Sequence, residues 1–250
     1  RLSAVLLLLA CGDGGTTPTS PPTPPTPVAT SITLSTTSLS FASLGQTQQL
    51  TATVKDQNGA TMANATVTWS SSSASVVTVS PTGFTNSFLV TSVADGTATL
   101  TATSGSASGT ASVTVLQVAA SVVLSDTVLA FSTLGDTTQL TVTVKDANDS
   151  TLVSPTVSWT TSDTTVATVS DAGLVTSVAD GTATVTATSG SASDTASVTV
   201  AQVAASIVLS DTTLTFSALG DTTQLTVTVK DANDSTMVGA TVTWATSDTT

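Results

Sequence analysis

"LGDTTQLTVTVKDANDS", residues 134–150, alternates apolar and hydroxyl side chains through its middle and ends in a cluster of Asp and Asn. Leu140, Val142 and Val144 fall on one side of an extended chain, Thr141 and Thr143 on the other. A side-chain period of two marks a strand that buries one face and wets the other. Val and Thr are also β-branched, which restricts them in helices and suits a pleated surface. The closing "KDANDS" is turn chemistry, because Asp and Asn side chains bond their own backbone two residues on. The stretch therefore reads as a half-buried strand running into a tight turn.

The same stretch occurs three times: "LGQTQQLTATVKDQNGA" begins at residue 44, and "LGDTTQLTVTVKDANDS" begins at 134 and again at 219. Trp69, Trp159 and Trp244 recur at spacings of 90 and 85, and so do Lys55, Lys145 and Lys230. Self-similarity at a fixed period marks a tandem array. The units run over 28–117, 118–202 and 203–250, the last stopping about 37 residues short of a full copy, so further sequence is expected beyond Thr250. Copies two and three share 39 of 48 aligned residues, which points to recent duplication.

Within a copy the alternation persists. "TATVTATSG" sets Ala183, Val185 and Ala187 opposite Thr182, Thr184, Thr186 and Thr188, and "ASVTV" sets Ala196, Val198 and Val200 on one face. "SDAG", "VADG" and "TSGSAS" supply further turns at short intervals. No stretch shows a 3.6-residue period, so a helical solenoid is excluded. About seven short strands per copy predict an all-β chain of tandem two-sheet sandwiches.

Residues 157–190, "VSWTTSDTTVATVSDAGLVTSVADGTATVTATSG", resemble the bacterial immunoglobulin-like domain of group 2, repeated in intimin- and invasin-like adhesins. The resemblance implies an Ig-like sandwich and covers about nine-tenths of the chain. The antibody-type pair of cysteines is absent, so packing alone must hold the sheets. Trp159 and its equivalents are expected as core plugs. Copy one departs from the pattern by a five-residue insertion carrying Phe84 and Phe88; these could contact a sugar or partner, but are expected to fold back over the sandwich.

The chain opens on "RLSAVLLLLA", one positive charge and about nine apolar residues, too short to span a bilayer and shaped like the back of a secretory signal. Leu8-Leu9-Ala10-Cys11 resembles the lipobox of bacterial lipoproteins, which implies cleavage before Cys11 and attachment of acyl chains there. Two or more chains anchor stably where one does not. Gly12 follows the cysteine, and the family's inner-membrane retention signal, an Asp at that position, is missing; an outer-membrane lipoprotein is expected. Residues 12–27, "GDGGTTPTSPPTPPTP", hold six of the eight prolines and read as an extended polyproline tether.

Composition narrows the chemistry. His, Tyr and Glu are absent, all 16 acidic residues are Asp, and the net charge is −12. General acid–base catalysis loses its commonest groups, and a chain this acidic repels nucleic acid. No catalytic or cofactor-binding residue is assigned. The turns with Asp146, Asn148 and Asp149, and with Asp231, Asn233 and Asp234, offer oxygen ligands for Ca²⁺ but lack the EF-hand Gly and bidentate Glu, so they are weak metal candidates. The expected function is a non-catalytic surface stalk or adhesion module, anchored to the membrane by lipid, with a surface protein or polysaccharide as a possible ligand. The alternative is a set of accessory domains for an enzyme or carbohydrate-binding module beyond Thr250.

Overall fold

The computed structural model describes residues 25–248. Residues 1–24, which include the expected signal segment and Cys11, lie outside the described residues.

The first unit has eight strands: β1 (Ala29–Leu34), β2 (Ser38–Phe41), β3 (Thr47–Asp56), β4 (Thr68–Ser71), β5 (Val77–Pro81), β6 (Ser87–Ser92), β7 (Gly96–Ser104) and β8 (Ala107–Val115). They form two four-stranded sheets, ordered β1-β3-β6-β5 and β2-β8-β7-β4. The alternation drives this closure. In β7, Ala98, Leu100 and Ala102 are buried, while Thr97 and Thr99 face water. In β3, Leu50, Ala52 and Val54 point inward from the facing sheet. Burying a Leu or Val side chain contributes roughly 1.5–3 kcal/mol, and both units rest on such layers because neither carries a disulfide.

The second unit repeats the plan with β9 (Ser121–Leu124), β10 (Val128–Phe131), β11 (Thr137–Gln139), β12 (Val142–Lys145), β13 (Ser158–Thr161), β14 (Ala167–Val169), β15 (Leu174–Ser177), β16 (Gly181–Ser189) and β17 (Ala192–Val200). The strand that is continuous as β3 is here divided into β11 and β12, which pair β15 and β9 respectively. Leu140 lies at that division and is 1% exposed, packed in a core with Val144, Val175, Val185 and Val198. In both units the opening strand passes from one sheet to the other, so β2 and β10 pair in parallel with the closing strands β8 and β17.

The third unit contributes β18 (Ser206–Leu209) and β19 (Val227–Lys230), paired antiparallel. Ile207, Phe216 and Trp244 are 59%, 54% and 56% exposed. Val122 and Phe131, the counterparts of the first two, are buried in the second unit's core with residues of β16 and β17. Among the described residues no strands cover this third sheet.

The tryptophans pack against the two cores as expected but are not fully enclosed: Trp69 and Trp159 are half-buried, because β4 and β13 are edge strands of their sheets. Gly173, at φ +81°, lies so close beneath Trp159 that a Cβ would come within 2.8 Å of the ring and of the Leu140 carbonyl. In the first unit the insertion changes this arrangement, and Phe88 packs against Trp69 with ring centroids 5.2 Å apart. Phe88 folds back as expected, whereas Phe84 does not and stays 77% exposed.

Leu140→Ala is expected to destabilise the second unit by about 2–5 kcal/mol, and Val123→Ala, at an exposed strand position, to change stability by less than about 0.5 kcal/mol. Chemical denaturation of the two variants checks this contrast.

Candidate functional site: the joint between repeats

The turn after β12 is organised by its first residue. Asp146 Oδ1 accepts hydrogen bonds from the backbone N–H of Asn148 (2.9 Å) and of Ser150 (3.0 Å), closing an Asx-type turn. Asp231 does the same with Asn233 and Ser235, and Asp56 with Asn58 and Ala60. The turn needs one residue in the left-handed region, taken by Gly59 at φ 78° and by Asp149 and Asp234 at φ 62° and 61°. Asp tolerates that conformation better than most side chains.

The second carboxylate oxygen reaches into the preceding unit. Asp146 Oδ2 accepts from the Leu44 N–H and from Gln117 Nε2, both at 2.9 Å, while Asn148 Nδ2 donates back to the Leu44 carbonyl at 2.9 Å. The Gln117 backbone N–H donates to Asp95 at 2.7 Å, so the glutamine is held at both ends. The next joint repeats these bonds: Asp231 Oδ2 accepts from Leu134 N–H and Gln202 Nε2, Asn233 donates to the Leu134 carbonyl, and Gln202 N–H donates to Asp180. Asn233 also donates to Asp136 at 3.0 Å, a contact with no equivalent at the first joint, where residue 46 is Gln.

The connecting peptide has no slack. Leu116 and Val118 donate to the Phe41 and Ala42 carbonyls, and Ala120 donates to Lys145; Ala201, Val203 and Ala205 repeat this with Phe131, Ser132 and Lys230. Each joint is thus a carboxylate with 2% of its residue surface exposed, hydrogen-bonded from two units and flanked by a linker bonded on both sides.

Burial pushes the Asp146 and Asp231 carboxyls up, but the bonds from the glutamine, the leucine N–H and the turn together outweigh it and hold both below the ordinary carboxylate value. Asp136 is lowered by its bonds from Thr133 and Asn233. The ion pairs beside the turns, Lys145–Asp149 at 4.0 Å and Lys230–Asp234 at 3.7 Å, are solvent-facing and contribute little.

The six weak calcium candidates are therefore divided. Asp146, Asn148, Asp231 and Asn233 are engaged in the joints, and Asp149 and Asp234 point outward to their lysines. Among the described residues no three His, Cys, Asp or Glu side chains stand close enough to share a metal ion. Leu44, Gln117, Leu134 and Gln202 were not singled out from sequence. The repeated Leu-Gly pair and the Gln before each boundary carried the signal, because a repeat that docks on its own copy keeps both sides of the interface in its sequence.

The family model for the bacterial Ig-like domain (group 2) matches residues 28–115 and 118–200. The chain belongs to this family. A comparison with curated proteins finds no match. Among solved structures, the bacterial Ig-like chain is similar to domains 1–6 of the surface layer protein SbsC at 25% identity and a TM-score of 0.35, over 84% of this chain and 32% of that one. It is also similar to the Yersinia pseudotuberculosis adhesin InvE, at 16% identity and a TM-score of 0.36, over 68% of this chain and 58% of that one. The chain therefore spans about a third of the SbsC structure it matches.

For these Ig-like units, Asp146→Asn turns an amide N–H₂ toward donors at Leu44 or within its own turn, and the first joint is expected to loosen while both sandwiches stay folded. Small-angle scattering should show a broader distance distribution for the variant than for the parent, and a chelator should leave the parent unchanged. A depressed carboxyl stabilises the docked joint fully above its undocked value of about 3.9 and loses that contribution as pH falls through the lower docked value. Acidification of the parent from neutral pH is therefore expected to broaden the same distribution, and D146N to respond less.

Proposed function

We propose that this chain is part of a non-catalytic stalk on the bacterial cell surface, anchored by lipid at Cys11 in the outer membrane, with units at 28–117, 118–202 and from 203 onward. The joint carries this reading. A module that fixes its neighbour through the same buried aspartate, glutamine and leucine at each step serves to hold a direction over distance. Each unit adds roughly 30–40 Å, by strand length, beyond the lift given by the Pro/Thr tract at 12–27. The non-catalytic part rests on side-chain chemistry: with no His, Tyr or Glu in the sequence, the aspartates whose acidity is shifted are those engaged in turns and joints. An adhesive contribution to a surface protein or polysaccharide is supported by Phe84, exposed on an insertion that the second unit lacks.

Cys11→Ser is expected to move the protein from the membrane fraction to the soluble envelope fraction; equal retention of variant and parent defeats the anchor. Deletion of residues 118–202 leaves Leu44 and Gln117 facing Asp231 and Asn233, so the joint is expected to re-form. A C-terminal tag should then stand closer to the membrane by one unit length, measured by fluorescence quenching from labelled lipid.

A further inference from the structure

We infer that each complete unit is a tension-bearing clamp, built to resist a pull along the chain. The inference rests on strand order and applies wherever the protein resides. In the second unit the chain enters at Ala120, passes down β9 and β10, and leaves at the far end of β17. β10 and β17 run parallel in register Val128↔Ser197, Leu129↔Val198, Ala130↔Thr199 and Phe131↔Val200. The opening and closing strands are therefore bonded directly, and a pull on the two ends drives β10 one way and β17 the other. The evenly spaced, slanted bonds of this parallel ladder run from strand to strand and not along the pull, so they share the load together and do not open in sequence.

The ladder also runs past the strand ends. Ser197 donates to Thr127 ahead of β10, and Ala201 and Val203, past the end of β17, donate to Phe131 and Ser132, each at 2.9 Å. The first unit has the same extension, with Ser112, Leu116 and Val118 donating to Thr37, Phe41 and Ala42. Tension leaving one unit thus crosses bonds that belong both to its clamp and to its linker. Upstream, β9 is held by antiparallel pairing from Ser121↔Lys145 to Leu124↔Val142, which is loaded along its length as well.

Forced unfolding reads the unfolding rate under load, and the direction of pull tests the clamp without altering it. In a full-length Cys11→Ser background, single-molecule pulling would be done on two double variants, A120C/A205C and S132C/A205C, all three positions being exposed. The first pair shears β10 against β17; the second grips both strands at one end and peels them. At equal loading rate the A120C/A205C molecule is expected to break at a force roughly threefold or more higher, through the slower unfolding route. Its release of about 85 residues at about 3.5 Å each identifies the second unit. Equal breaking forces in the two geometries, or a lower force for A120C/A205C, overturn the clamp.

Discussion

The long strands β7, β8, β16 and β17 each have to reconcile a Val, Ala or Leu face with a Thr or Ser face, and that constraint shapes both the sandwiches and the joints between them. A sheet with one dry side needs a second dry side against it. The inward residues are mostly Val, Ala and Leu, and the cores gather residues such as Leu100 with Val77 and Val90, or Val185 with Val175 and Val198. There is little bulk to spare. Trp69 and Trp159 therefore sit at the sheet edges, over Phe88 in one unit and over Gly173 in the other.

With the sandwich set, the ends of each unit become available for joining. The Leu-Gly loop at one end and the Asp-Asn turn at the other belong to the same copy of the sequence, and one copy's loop receives the next copy's turn. The left-handed glycine, φ 70° at Gly45 and φ 79° at Gly135, shapes the loop that presents the preceding leucine's N–H and carbonyl outward. A single carboxylate then organises its own turn with one oxygen and holds the neighbouring unit with the other. This economy explains why the turn is rich in Asp and Asn.

Much of the fold was legible in residues 134–150 and their copies, because a period of two in β-branched residues has few alternatives. The Asp-Asn turn was legible as a turn, but its partners were not. Leu44 and Gln117 lie 102 and 29 residues from Asp146, and a hydrogen bond across that separation leaves no local pattern. The oxygen-rich cluster read as weak metal chemistry for the same reason: sequence shows which oxygens are near one another along the chain and not which donors arrive from elsewhere. Phe84 and Phe88 looked alike in sequence, yet one packs half-buried beside Trp69 and the other faces solvent, a difference set by the shape of the inserted hairpin.

Both halves of the interface are written inside each complete copy. An in-register duplication or loss of one copy, of the kind that near-identical neighbours promote, therefore creates a seam whose two sides already match, and no compensating substitution is required. Lineages can lengthen or shorten such a protein by recombination alone, with size free to drift while the chemistry of attachment between modules stays constant.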